Sequence, residues 1–216
     1  MKERFRQLLH ATTKKNKLPL RIFFSAFGVL MMGFGMSVIE KLGAGTDPFT
    51  CMNNGLSSVT HLSIGTVNLL VSVVLFAVVI FLDISGLGLG TLFNMVGFGY
   101  TIDLFRIIWK EVGFTGIEHP VLRYIVLFGM LILFILAVSL YLAADLGSAP
   151  YDALPVILAD KTRIRFVFVR MAWDATAVLI GFLLGSEVGI TTLVCALLVG
   201  PAAALVRRAV DKLLSK

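Results

Sequence analysis

The chain has 216 residues, of which 58% are hydrophobic and only 15% charged, with a formal net charge of +6. A mean hydropathy of +0.94 means more apolar surface than the interior of so short a chain can take up, so the excess must face lipid, which argues against a soluble enzyme. The basic excess does not point to nucleic acid, because the Lys and Arg residues gather at the edges of long apolar runs.

Residues 1–21 are a basic segment, with seven Lys and Arg before Ile22. Phe5, Leu8 and Leu9 suit one face of a short helix and Lys2, Arg4 and Arg6 the other, as on an anionic membrane surface. A frayed tail that only sets topology fits equally well. Ile22 to Ile39 is a span-length apolar run with no convincing small-residue cleavage site after it, and it reads as a signal anchor. Pro48 to Thr60 is a short apolar stretch reaching about 20 Å, too little for a hydrocarbon core of about 30 Å. Long runs follow at Ile64 to Leu82, Leu89 to Trp109 and Val121 to Ala144. A second short stretch, Pro150 to Ala159, precedes the last long runs, Phe166 to Leu184 and Ile190 to Val206. The expected fold is an all-α polytopic transmembrane helical bundle of six long plus two short membrane segments. Each short segment is a half-helix, a tilted span, or a span completed by irregular backbone.

If all eight segments cross, nearly every basic residue falls on one side, leaving only Lys41 and Arg170 elsewhere. Both termini are then cytoplasmic, in a bacterial inner membrane, by the positive-inside rule. The opposite face carries Glu40, Asp47, Asp83, Asp145 and Glu187. If the short segments dip in and return, six segments cross and Arg106, Lys110 and Arg123 move outside. The charge census favours eight crossings, hence parallel halves; six would make the halves inverted.

The halves emerge from a displacement of 101 or 102 positions, which matches Phe27-Gly28 to Phe128-Gly129, Gly45 to Gly147, Pro48-Phe49 to Pro150-Tyr151, Thr91-Leu92 to Thr192-Leu193 and Gly99 to Gly200. An ordered series at one shift indicates duplication. The first membrane repeat is assigned to 22–110, the second to 121–207, and a cytoplasmic tail to 208–216.

Gly45-Thr46-Asp47-Pro48-Phe49-Thr50 and Gly147-Ser148-Ala149-Pro150-Tyr151-Asp152 share a Gly, two residues, a Pro and an aromatic. With Leu62 to Thr66 and Asn68, Gly88 to Asn94, Ile102-Asp103, Val169-Arg170, Gly189 to Thr192 and Gly200-Pro201, this pattern resembles the YczE/YyaS/YitT family of bacterial membrane proteins. The first motif departs from the family pattern in carrying its acid at Asp47, before the aromatic rather than after it. The resemblance implies a membrane-embedded architecture and a transport-related role without a settled substrate.

Proline is well placed at the first position of a helix, so Pro48 and Pro150 are expected to start helices after the Gly45 and Gly147 turns. Helices that start below the membrane surface aim free N–H groups into a cavity, as broken transporter helices do. Plain capping by Asp47, with Asp152 in the first turn of the second helix, is the blander role for those acids. Arg170 and Asp174 lie four apart on one helix face and can pair as a structural clasp or as a contact for a solute or ion. Asn68, the counterpart of Arg170, and Asn94 add polar positions at depth. Asp103 pairs with Arg106 at an interface or joins this set. Gly181 and Gly185 have the spacing of helix-packing glycines. Cys51 and Cys195 are too few to define a redox compartment, and His10, His61 and His119 lack neighbouring ligands, so neither cofactor nor metal is expected.

Three functions compete. The first is a small permease for an unidentified solute, for which the free helix N-termini and Arg170 suggest an anion. The second is a non-transporting membrane partner or regulator of another complex, or a homo-oligomer. An enzyme comes last, for want of a catalytic constellation.

Overall fold

The computed structural model describes residues 18–198. Residues 1–17 of the basic N-terminal segment, the Gly200-Pro201 pair and the basic tail of the sequence analysis lie outside the described residues. The described chain is helical throughout, with no strand among the described residues. The elements are α1 (Leu18–Lys41), α2 (Pro48–Thr60), α3 (Ile64–Leu82), a 3-10 turn (Ile84–Gly86), α4 (Leu89–Glu111), α5 (Pro120–Ala143), α6 (Pro150–Thr162) and α7 (Phe166–Leu183). A last helix, α8, begins at 190 and continues through 198. By length and composition α1, α3, α5 and α7 are able to cross a membrane. Helix α4 has 23 residues, but its glycines, Asn94 and charged C-terminal half lower its apolar content.

The two short helices form for local reasons. Each has a proline in its first turn and ends on a residue with left-handed backbone, His61 at φ 58° and Arg163 at φ 60°. Asp47 caps α2, its Oδ1 accepting from the amides of Phe49 at 3.1 Å and Thr50 at 3.3 Å, a contribution of about 1 kcal/mol. Helix α6 has no side-chain cap, and Asp152 sits in its first turn.

Helix directions follow from the contacts. Gly28 of α1 packs on Ala137 and Tyr141 of α5 while Gly35 faces Met130 and Phe134, so the two helices are antiparallel. Arg21 donates to the Ala144 carbonyl at one end, and Arg123 donates to the Leu42 carbonyl at the other. Helix α4 runs with α1, since Gly97 meets Val29, Gly33 meets Thr101 and Trp109 donates to Ser37. Helix α3 runs against α4, with Asn68 on the Met95 carbonyl and the Gly65 amide on Asp103.

This arrangement differs from the parallel halves favoured by the charge census. After α1 ends near Glu40 the chain dips inward, and α2 starts beside Met32 and Phe98. Helix α2 then returns to the Glu40 end, where Asn54 donates to Glu40 and Ser58 to the Leu184 carbonyl. Helix α6 likewise starts in the interior and returns to the Arg21 end, packing Ala153, Leu154 and Ile157 against Val79, Ile84 and Leu87. The census misled because it counted charges without their partners. At the Glu40 end Arg106 is held by Glu40, with Nη2 at 2.6 Å and Nε at 2.9 Å. Arg123 there serves the C-terminal carbonyls of α1, where a cation is favoured. Asp83 and Asp145 fall at the opposite end from Glu40 and Glu187, not on one acidic face.

Small residues set the close approaches, as expected where apolar burial gives no net drive between helices. A Cβ on Gly55 would lie 2.7 Å from the Gly181 carbonyl oxygen, and one on Gly181 would meet the Cys51 carbonyl. Gly185 does not extend that contact: at φ 87° it ends the helix with nothing packed on it. The outer surface is apolar, Phe81 being 79% and Leu183 72% exposed, which suits lipid.

Candidate functional site

The irregular loops carry the exposed backbone of the interior, and each finds its partner in the other half of the chain. Gly45 at φ 79° lies against Gly189, where the Thr191 amide donates to the Ala44 carbonyl at 3.1 Å. Gly147 at φ 97° lies against Gly88, where the Gly90 amide donates to Leu146 at 2.7 Å and the Ser148 amide to Gly86 at 3.0 Å. Thr91 Oγ1 closes the second junction on the Ser148 carbonyl at 2.8 Å. Backbone at this depth without such bonds costs several kcal/mol per group.

These clasps bring the starts of α2 and α6 together in the middle of the bundle. Phe49 stacks on Tyr151 with ring centroids 4.5 Å apart. Beside them lies a cavity of about 50 Å³, bordered by Asp47, Pro48, Asn94, Asp152, Arg170 and Cys195 among others. Toward the Glu40 end, a cleft of about 600 Å³ is lined by Glu40, Thr46, Asn54, Arg106 and Glu187. Thr46 borders the cleft and the adjoining Asp47 borders the cavity, so this loop separates the two.

Arg170 makes two ion pairs. Its Nε donates to Asp174 at 2.9 Å and its Nη1 to Asp152 at 2.8 Å, and its guanidinium carbon lies 5.3 Å from the Tyr151 ring centroid. Tyr151 donates its hydroxyl to the second Asp174 oxygen at 2.7 Å. Asp174 is 2% exposed, so its ion pair and hydrogen bond are what make its burial tolerable. Asp152 is therefore an ion-pair partner that ties α6 to α7, beyond a first-turn acid. In this state the charge of Arg170 is already shared between two carboxylates.

Of the sequence-expected site residues, Asp47, Pro48, Asn94, Asp152 and Arg170 meet at the cavity, with Asp174 behind Arg170. Pro150 starts α6 nearby, and Gly45 and Gly147 shape the loops. Asn68 stands apart: it accepts from Asn53 at 3.3 Å and donates to the Met95 carbonyl at 2.9 Å, joining α2, α3 and α4. Asp103 does not pair with Arg106 but takes the Gly65 amide at 2.7 Å, holding the start of α3. Tyr151, Asn53 and Thr50 escaped the sequence analysis as site residues. The aromatic shared by the two Pro motifs was a signal for Tyr151.

Comparison with known proteins places the chain among bacterial relatives, one of them described as a membrane protein. Residues 19–208 match a family model described as a family of unknown function, DUF6198. The uncharacterized membrane protein YczE of Bacillus subtilis (strain 168) is 27% identical over 188 residues, covering 86% of this chain and 85% of the relative. An uncharacterized protein of Haemophilus influenzae (strain ATCC 51907 / DSM 11121 / KW20 / Rd) is 30% identical over 174 residues, covering 81% and 77%. The uncharacterized protein YyaS of Bacillus subtilis (strain 168) is 29% identical over 185 residues, covering 84% and 89%. No solved structure matches. With a family model spanning nearly the whole described chain and relatives matched over most of their own length, this chain belongs to the DUF6198 family and is a helical membrane protein of the YczE and YyaS kind.

Proposed function

We propose that this protein is a small permease built from two inverted halves, with its binding site where the α2 and α6 N-termini meet. The observation that carries the proposal is that two half-helices enter the interior from opposite ends and start beside one cavity, largely apolar but bordered by Asp47, Asn94, Asp152 and Arg170. Discontinuous helices of this kind place their N–H groups on a substrate at the midplane. A rigid scaffold or regulator has no need of irregular backbone at that depth, which demands matched partners.

The inverted repeat has several supports. Helices α1 and α5 both have 24 residues, α2 and α6 both have 13, and α3 and α7 have 19 and 18. The glycine contacts are reciprocal, Gly45 with Gly189 and Gly147 with Gly88. On this reading α1, α3, α4, α5, α7 and α8 cross, and the Arg21 end, carrying Lys161, Arg163 and Arg165, is cytoplasmic together with both termini.

Topology is checked by single cysteines in a background lacking Cys51 and Cys195. Cysteines at Lys110 and Glu187 should react with an impermeant thiol reagent added outside, and cysteines at Asp83 and Lys161 should not. Reaction at Asp83 with protection at Lys110 would restore eight crossings and parallel halves.

Function is checked without knowing the solute, because Cys195 borders the central cavity. With Cys51 replaced by Ser, a small impermeant thiol reagent should modify Cys195 when added from either side of sealed vesicles, each access arising in a different conformation. Modification from one side only, or from neither, would return the chain to the role of membrane partner or regulator.

The engaged state of Arg170 shifts the solute class expected from sequence. Its charge is matched by Asp152 and Asp174, so the positive ends of α2 and α6 remain the sole attraction for an anion, and Asp47 already occupies one of them.

A further inference from the structure

The centre of the bundle holds a buried carboxylate oxygen that makes no well-formed hydrogen bond, with the Thr50 hydroxyl as its neighbour. Asp47 Oδ1 is used in capping α2, but Oδ2 is buried and has no hydrogen-bond partner. The Thr50 hydroxyl borders the same carboxyl group, is on a residue only 1% exposed, and also lacks a well-formed hydrogen bond. One turn along the same helix face, Asn53 Oδ1 is unpartnered on a residue 1% exposed, and Thr46 Oγ1 is unpartnered on the approach to Asp47. Four oxygens without well-formed hydrogen bonds thus lie on the approach to α2 and along its first two turns; Asp47 borders the small cavity, which in this conformation has room for an ion or one or two waters, and Thr46 borders the cleft.

The charges around this cavity do not balance. Asp152 and Asp174 share one guanidinium, and Asp47 has none. Two helix N-termini, each worth about half a positive charge, leave the centre near −1. One monovalent cation completes that count. A divalent ion needs more carboxylate than a single free oxygen, since Arg170 holds the other two acids.

We propose that Asp47 Oδ2 and the Thr50 hydroxyl are the primary ligands of a monovalent metal cation of the sodium type, which enters from the Glu40-end cleft past Thr46. Hard cations take oxygen ligands of this kind. The second half carries Ala149 where the first has Asp47, so the ion site belongs to one half alone. The site is a statement about binding and deepens the permease reading by supplying a coupling ion.

The test is thermal unfolding of the purified full chain in detergent, with sodium chloride exchanged for choline chloride at constant ionic strength. Sodium at about 100 times its dissociation constant should raise the midpoint by about 8 °C. Asp47→Asn keeps an oxygen to cap α2, and should abolish the sodium shift while the protein remains folded. Thr50→Val should raise the sodium concentration for half the shift at least tenfold. Equal midpoints in sodium, lithium and choline for the wild-type chain overturn the site, as does a full shift in Asp47→Asn or an unchanged one in Thr50→Val. Stabilisation that follows pH alone, equal in sodium and choline, also overturns it and assigns Asp47 to a proton. A sodium shift without two-sided labelling of Cys195 keeps the ion site and removes the permease. Two-sided labelling without a cation effect does the reverse.

Discussion

Arg170→Met should lower the stability of the folded protein by about 3 kcal/mol, because it leaves Asp152 and Asp174 facing each other without their shared cation. That is the lower end of the range for breaking a buried pair. The Asp152 side chain keeps 30% of its surface exposed, so part of its charge is solvated, whereas Asp174 at 3% is not. Asp174→Asn should be milder, since Arg170 keeps Asp152 and an amide oxygen still accepts from Tyr151. The triple change Arg170→Met, Asp152→Asn, Asp174→Asn should recover most of the loss if the network is a clasp. Unfolding in detergent followed by tryptophan fluorescence measures all three, Trp173 lying 5.6 Å from Tyr151 beside the network. A triple variant that is stable but no longer shows two-sided Cys195 labelling would place the network in the working cycle.

Gly147→Leu should yield almost no folded protein. At φ 97° a side chain is strained, and a Cβ would lie 2.8 Å from both Gly88 Cα and the Leu87 carbonyl carbon, which are backbone atoms unable to turn aside. Left-handed strain and overpacking together cost roughly 2–6 kcal/mol, a large part of the 5–15 kcal/mol typical of a folded domain. Gly129→Ala is the matched control. Nothing lies within 4 Å of its would-be Cβ, so a helical Gly→Ala change there should be neutral or stabilise by up to about 1 kcal/mol. Size-exclusion profiles of fluorescently tagged variants separate the two outcomes. A monodisperse Gly147→Leu peak of wild-type height would mean that the two loops do not clasp.

What could be read from the sequence was local. The Pro48 and Pro150 starts, the Asp47 cap and the pairing of Arg170 with Asp174 depend on spacings of one to four residues, and all are present. The third member of the ion network, Asp152, is 18 residues from Arg170 and has no periodic relation to it. The antiparallel direction of α1 and α5 was not legible, because it rests on partners far apart in the chain. Arg106 finds Glu40 across 66 positions and Arg123 finds Leu42 across 81. Unpaired, these cations look like topology signals; paired, they are helix-end fittings. Asn68 shows the converse, since its place in the repeat put it level with Arg170 although its bonds are to Asn53 and Met95.

The reciprocal glycine junctions also bear on how the protein is made. The Ala44 carbonyl waits for the Thr191 amide, which a ribosome adding 5–20 residues per second delivers roughly 7–30 s later. Through that interval the Ala44 carbonyl lacks the amide it bonds in the finished bundle, and it needs water or another donor in its place. This junction therefore cannot close before Thr191 has been made. The last described helix is what locks the first loop in place.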